Sequence, residues 1–306
     1  MPLKLVGAID LPRSLSSGGF DHAAVCGERL YVAHTANDSV EVIDCALDRH
    51  LFSVPGLKGV AGVLASAEAQ LIFTANRDED SVAILPLGDE RASRKVEVGR
   101  CPNGLAYATS RHLLLAANVG EDKQPGGKTA TLIDVREPRV IANIDLPGRT
   151  RWAVFSERLQ KFFINIADPS CIAVVDAEAP TRVSNVINVP AAGPHGLDVD
   201  DARLRIFCAC DAAKLMCLDA LSGALIAEVQ LSGPPDTIFF NAERSHLYVA
   251  IGDPGVVDIV DTDKFRLIGT AITEKGAHTI GYDPKHGKVY AFLPASSRAM
   301  VFVADH

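Results

Sequence analysis

One pattern of apolar and polar positions recurs along the whole chain. Each copy is an alternating apolar strand, a short polar turn and a second alternating strand. The copies begin at Leu30, Leu71, Leu113, Lys161, Arg205, Leu247 and Lys288. A further strand-like stretch precedes each copy and another follows most of them. Val, Ile, Leu and Phe dominate the strands, and Gly, Pro, Asn and Asp the turns, so the pattern predicts units of four β-strands.

The spacing of these units indicates the architecture. Their first strands begin near Asp21, Ala61, Asn103, Arg151, His195, Asp236 and His278, which are 40 to 48 residues apart. A period of about 40–45 residues with four short strands is typical of a propeller blade. We therefore predict an all-β, seven-bladed β-propeller with four antiparallel strands per blade, forming a single domain over residues 1–306. The predicted blades are approximately 18–57, 58–99, 100–148, 149–190, 191–233, 234–274, and 275–306 together with 3–11.

The last unit lacks an outer strand, because the chain stops at His306 after the third strand of that unit. The N-terminal segment LKLVGAIDLP resembles the outer strand VIANIDLPG of the third unit. Pairing Leu3–Leu11 with Arg298–Val303 would complete the last blade and remove an exposed sheet edge. The sequence thus predicts that the N-terminal strand closes the ring.

Two literal motifs support this architecture. Leu30-Tyr31-Val32-Ala33 and Leu247-Tyr248-Val249-Ala250 are each followed by a strand of the xVxxID type. They resemble the YVTN repeat of a β-propeller family, and the resemblance covers essentially the whole chain. It implies a fold and leaves the chemistry open, because one fold hosts many functions.

The predicted fold places candidate functional residues at one end of the central channel, which we call the upper mouth. The innermost strands begin there, and the loops between second and third strands open on the same face. Ligand sites concentrate on such loops. The first innermost positions are Asp21 with His22, Ala61, Asn103, Arg151 with Trp152, His195, Asp236 and His278, and the loops add His34, Arg77, Asp211 and Asp253. These residues are mostly polar and differ between blades, which favours a functional role.

Histidine beside aspartate suggests a metal site. Neutral imidazoles and carboxylates bind divalent ions, so we expect His22, His195 and His278 as ligands, with Asp236 or Asp21 as a further ligand or general base. The ion could be Zn, Mn, Fe, Mg or Ca. Such an ion polarises a carbonyl or activates water, so we predict a metal-assisted lyase or hydrolase for a small lactone-like or ester-like substrate. The alternative is a non-catalytic propeller that binds a small ligand or a protein on the same face.

The remaining mouth residues are predicted to contact the ligand. Arg151 could hold a carboxylate, a phosphate or a developing oxyanion. Trp152 could stack on a ligand or pack into the channel wall. Asn103, His34 and Arg77 are the other predicted ligand contacts. The histidines could equally bond backbone carbonyls in a channel filled with water.

The composition of the chain argues against some classes of binding partner. A formal net charge of −8 without a basic run argues against nucleic-acid binding. No apolar run approaches the length of a membrane span, and the N-terminus lacks an apolar signal segment. Seven scattered cysteines suit a reducing compartment, so we expect a cytoplasmic protein.

Two further features concern loops. The segment GEDKQPGGK, residues 120–128, lengthens the third unit and is either a lid over the mouth or a tolerated insertion. Third strands end in an aspartate that we expect to form an Asx-turn. These aspartates are Asp44, Asp134, Asp176, Asp219 and Asp261.

Overall fold

A computed structural model describes residues 3–16, 18–120 and 127–304. Within these residues, 28 strands form seven four-stranded antiparallel sheets, with three short 3-10 turns at Thr35–Asn37, Arg77–Glu79 and Thr109–Arg111. No helix in these three ranges has the length and apolar character needed to cross a membrane.

In six sheets the strands follow the chain order from the innermost strand outward, and in the seventh the N-terminal strand comes last. The first sheet contains β2 Phe20–Cys26, β3 Arg29–His34, β4 Ser39–Asp44 and β5 Arg49–Pro55. The second contains β6 Val60–Ser66, β7 Leu71–Asn76, β8 Ser81–Pro86 and β9 Arg94–Glu97, and the third β10 Pro102–Ala108, β11 Leu113–Asn118, β12 Thr129–Asp134 and β13 Arg139–Asp145. The fourth contains β14 Thr150–Ser156, β15 Lys161–Ile166, β16 Cys171–Asp176 and β17 Val183–Asn188, and the fifth β18 Pro194–Asp200, β19 Arg205–Cys210, β20 Lys214–Asp219 and β21 Leu225–Gln230. The sixth contains β22 Pro235–Asn241, β23 His246–Ile251, β24 Val256–Asp261 and β25 Arg266–Ile272, and the seventh β26 Thr279–Asp283, β27 Lys288–Leu293, β28 Arg298–Ala304 and β1 Leu3–Asp10.

The seven sheets form a closed ring. The innermost strand of each sheet contacts the innermost strand of the next, and β26 of the seventh sheet contacts β2 of the first. The predicted all-β, seven-bladed propeller is therefore confirmed. Apolar side chains fill the space between neighbouring blades, as where Phe163 and Ile172 of the fourth sheet pack with Leu197 and Ile206 of the fifth.

The N-terminal strand β1 is the outer strand of the seventh sheet. It pairs antiparallel with β28, from Leu3 opposite Ala304 to Asp10 opposite Arg298. Ile9 and Leu11 bury their side chains in the cluster between the seventh and first sheets. The strand thus joins both ends of the chain in one blade and covers the edge of β28.

The aspartates at the ends of third strands form turns, as predicted. Asp44 Oδ1 accepts the backbone N–H groups of Ala46 and Leu47 at 3.0 and 2.9 Å. The same bond to the residue two positions on recurs at Asp134, Asp176, Asp219 and Asp261. These carboxylates therefore serve the turns. Of the long loop in the third blade, residues 121–126 lie outside the described residues.

Candidate functional site

A repeated backbone irregularity positions the residues of the upper mouth. In six innermost strands, β2, β6, β10, β14, β18 and β22, the pairing with the second strand shifts after the first residue. The residues left out of the pairing include Asp21, Ala61, Asn103, Arg151, His195 and Asp236. A β-bulge re-aims the side chain of an unpaired residue. The mouth residues therefore do not follow the regular alternation of side chains along the strand, which would direct them into the space between neighbouring blades.

One part of the mouth joins the first three blades. Arg77, in the loop after β7, donates from Nη2 to Asn103 Oδ1 at 2.6 Å. The same nitrogen lies 3.2 Å from Asp21 Oδ2. Three residues that were predicted at the mouth therefore form one connected polar group.

A second part joins the fourth, fifth and sixth blades around His195. Its Nδ1 lies 2.8 Å from Asp211 Oδ1, and its Nε2 lies 3.3 Å from Asp236 Oδ1. Arg151 Nη2 lies 3.9 Å from Asp211 Oδ2. Sequence reasoning placed Asp211 at the mouth without a role. A role for Asp211 could have been predicted from its position directly after β19. The last residue of that strand, Cys210, pairs with Pro194, which precedes His195.

Asp236 is the carboxylate that the histidines surround. Burial by itself would raise the pKa of Asp236, but the charges of His195, His278 and His22 outweigh burial, and the pKa is lowered. His278 Nδ1 lies 2.8 Å from the carbonyl oxygen of Gly276, to which it donates. Only Nε2 of that ring can therefore accept a proton or contact a ligand.

Arg151 is the least satisfied charge of the mouth. Within the described residues, its buried Nε has no hydrogen-bond partner. Burial lowers the pKa of Arg151, and the nearby charge of Arg149 lowers it further, whereas Asp211 and Asp236 act in the opposite direction. The side chain is 24% exposed, and its ion-pair partner among the described residues, Asp211, lies at 3.9 Å.

His22 and Trp152 lie one residue further along their strands and meet in the channel. Their rings stack, with centroids 3.8 Å apart and planes 18° from parallel. Burial lowers the pKa of His22, although the charges of Asp21 and Asp236 act against it. The buried Nε1 of Trp152 lies near Asp236 and its N–H helps to lower the pKa of that carboxyl, although no hydrogen bond of standard geometry forms to it in the described part of the chain. Trp152 thus packs on a neighbouring ring, and its contact with a ligand stays a prediction.

His34 does not join the mouth, which corrects its predicted placement. Its side chain is fully buried, with Nδ1 3.1 Å from Glu41 Oε1 and Nε2 3.0 Å from Ser14 Oγ. Its ring also packs on Phe20 at 4.4 Å between centroids. A buried carboxylate requires hydrogen-bond partners, and His34 is one of the partners of Glu41 inside the blade.

The predicted metal ligands all act on Asp236, but their side chains are not arranged as a metal site among the described residues. His195 has both nitrogens near carboxylates, and His22 is stacked on Trp152. Within residues 3–16, 18–120 and 127–304, no group of three or more His, Cys, Asp or Glu side chains is arranged to hold a metal ion. A metal site there requires side chains to move.

Comparison with known proteins extends the fold assignment and nothing else. No protein-family model matches the chain, and no curated protein matches it. Among solved structures, a chain of hydrazine synthase from Kuenenia stuttgartiensis aligns with a TM-score of 0.82 at 14% identity, over 94% of this chain and 96% of that one. Similarity at such low identity shows shared architecture alone. The chain is a seven-bladed β-propeller whose activity has to be argued from its own residues.

Proposed function

We propose that the upper mouth binds a small anionic molecule that carries a carboxylate or phosphate group. The observation behind this proposal is the incomplete pairing of Arg151. A buried N–H without an acceptor beside a partly buried charge is costly, and a bound anion would reduce that cost. Guanidinium groups also match carboxylate and phosphate through two parallel N–H donors.

The other charges of the mouth support an anion over a cation. Its carboxylates already have cationic or imidazole partners: Asp21 has Arg77, and Asp211 and Asp236 have His195. Arg77 and Arg149 add to the positive potential at Arg151. A ligand anion would therefore meet donors that remain available.

Thermal unfolding with inorganic phosphate and with succinate tests the proposal. A ligand that binds the folded chain raises the melting temperature. We expect at least one probe to stabilise the wild type, and we expect Arg151→Gln to abolish the effect. Arg149→Gln is the matched control, because this neighbouring arginine is exposed and acts through its charge at a distance. It should retain most of the stabilisation.

Two outcomes would contradict anion binding at Arg151. One is a wild-type melting temperature that neither probe changes at millimolar concentration. The other is an Arg151→Gln variant that responds like the wild type. Equal losses in the Arg149 and Arg151 variants would indicate diffuse electrostatic attraction in place of a defined site.

A metal-assisted lyase or hydrolase is the second candidate. It is favoured by the three imidazoles that act on Asp236. To bind one divalent ion, His22, His195 and His278 would have to turn from their present partners. The ion would then polarise a lactone or ester carbonyl or activate water, with Asp236 as base.

Elemental analysis of protein purified without added metal tests this candidate. We expect stoichiometric metal in the wild type and its loss in the His195→Ala, His278→Ala double variant, since too few donors would remain. His286→Ala, in the turn at the other end of the innermost strands, is the control. Metal content that is unchanged in the double variant would contradict the metal hypothesis.

Two broader assignments are also proposals. The LYVA motifs form most of β3 and β23, the second strands of the first and sixth sheets, which supports assignment to the YVTN repeat type. All seven cysteines are free thiols, which supports a reducing, cytoplasmic location.

A further inference from the structure

A second cavity lies in the channel beyond the His22–Trp152 pair. It has a volume of about 600 Å³, and His22 and Trp152 form part of its lining. Its walls come from the last residues of the innermost strands, and it reaches the turns that follow them at Ala242 and Glu243. We call it the lower cavity. Its aromatic lining consists of Tyr107, Trp152, Phe155, Phe239, Phe240 and Tyr282.

A single aspartate breaks the apolar pattern of this lining. Asp198 is the fifth residue of its innermost strand. The fifth residues of the other strands, counted in the same alignment, are Ala24, Leu64, Ala106, Val154, Phe239 and Gly281. Comparison of the repeats in the sequence singles out Asp198 at this position. It was not among the predicted site residues, because those were taken from the mouth end of the strands.

The contacts of Asp198 leave its charge without a counter-ion. Oδ2 accepts the backbone N–H of Phe240 at 2.7 Å, and Oδ1 accepts that of Val199 at 2.8 Å. Among the described residues, no Lys, Arg or His forms an ion pair with it. Burial raises the pKa of Asp198 to about 6, and the neighbouring charge of Asp201 acts in the same direction. At neutral pH the cavity therefore contains an uncompensated carboxylate.

We propose that the lower cavity binds a small organic ammonium ion with an apolar or aromatic body. The cationic head would lie against Asp198, which lacks a counter-charge. Aromatic faces attract ammonium groups, and apolar walls accommodate the rest of such a ligand. A cavity of about 600 Å³ is within the usual range for small-molecule sites. This site is separate from the anion site at the upper mouth and does not depend on it.

Binding should depend on pH through Asp198. Above pH about 6 the carboxylate is ionised and attracts the cation, and below that value protonation removes the attraction. The other titratable groups that face the cavity or Asp198 are His22, Tyr107, Asp201, Glu243 and Tyr282. Among them only His22 gains positive charge on acidification, so it too would oppose cation binding at low pH.

Isothermal titration calorimetry with benzyltrimethylammonium and its uncharged carbon isostere neopentylbenzene tests the proposal. We expect the wild type to bind the ammonium compound more tightly than the isostere at pH 7.5. Asp198→Asn should weaken ammonium binding about tenfold. The variant should also lose most of the affinity increase between pH 5 and pH 7.5. Asn keeps an acceptor for the backbone N–H groups, and thermal unfolding checks that the variant is folded.

Control variants separate this site from its surroundings. Glu243→Gln changes the other carboxylate of the lining and should have a small effect, whereas Ala24→Phe should block binding by filling the cavity. Arg151→Gln should leave ammonium binding unchanged, so failure of the anion site and failure of this one are distinguishable. Equal affinity for the two compounds, no binding of either, or a larger loss in Glu243→Gln than in Asp198→Asn would overturn the proposal.

Discussion

His22 and Trp152 come from the first and fourth blades, on opposite sides of the ring, and their rings meet at 3.8 Å between centroids. The contact lies between the polar upper mouth and the lower cavity. Both rings belong to the lining of that cavity. The channel therefore has linings of different chemistry at two levels, with charged groups at the mouth and a largely aromatic wall below.

The stacked pair gives a direct optical test. Trp152 is the single tryptophan, so tryptophan fluorescence reports on its surroundings, which include the His22 ring. Protonated imidazole quenches an indole that it touches, and burial lowers the pKa of His22. We expect fluorescence to fall on acidification, with a midpoint below the ordinary histidine value of about 6.5. Fluorescence titration of the wild type and of His22→Gln measures it. A transition that persists in His22→Gln would contradict the assignment, and His286→Ala should titrate like the wild type.

The buried Glu41 network predicts a pH dependence of stability. Burial would raise the pKa of Glu41, but hydrogen bonds from His34, His50 and two serines lower it from 4.5 to about 2. The unfolded chain therefore takes up the proton first as pH falls. The stabilisation from Glu41 is complete above pH 4.5 and is lost as pH falls toward 2. We expect Glu41→Gln to lower the free energy of unfolding at pH 7 by about 2–4 kcal/mol.

Urea denaturation at several pH values measures this effect, with the exposed Glu97→Gln as the control. His34→Gln should also destabilise the protein, by about 1–3 kcal/mol, because it leaves Glu41 with one buried partner fewer. A His34→Gln variant of unchanged stability that had lost phosphate or succinate binding would restore His34 to the mouth.

Ring closure predicts a strong effect of the N-terminal strand. Deleting residues 1–11 should expose the edge of β28 and the apolar residues it covers, which promotes aggregation and lowers the melting temperature. Size-exclusion chromatography and thermal unfolding measure both. Ile9→Asp, at a side chain only 3% exposed, should reproduce the loss, while Val6→Asp, at 52% exposure in the same strand, should not. A monomeric deletion variant with unchanged melting would argue against the closure.

The close approach of neighbouring blades predicts that one glycine, Gly196, does not tolerate a larger side chain. A Cβ atom on Gly196 would lie 2.2 Å from the backbone oxygen of Asp236 in the next blade. We expect Gly196→Ala to lower the free energy of unfolding by about 2 kcal/mol or more, because backbone must shift to relieve the clash. Chemical denaturation measures it. Gly7→Ala is the control, since nothing lies within 4 Å of a Cβ at that position. Equal stability of the two variants would contradict the proposed packing of the innermost strands.

The blades, and the end of the blades at which most mouth residues lie, could be predicted from local sequence patterns. Strand alternation and turn chemistry are local properties, so they identify the four strands of each blade without knowledge of distant contacts. Equivalent positions of a repeat lie at equivalent heights in a ring. For this reason Asp21, Arg151, His195 and Asp236 could be assigned to one mouth from their alignment alone.

Which of these groups interact depends on the arrangement of the blades in the folded chain. The partners of His195 come from two different strands, Asp211 after β19 and Asp236 in the next blade. His22 keeps Nε2 3.5 Å from Oδ1 of its neighbour Asp21 and also stacks on Trp152 of the fourth blade. Such contacts depend on bulges, side-chain rotamers and the distance across the channel, which the period of the repeat does not encode. The same holds for the aromatic lining of the lower cavity, because blades distant in the sequence contribute to it.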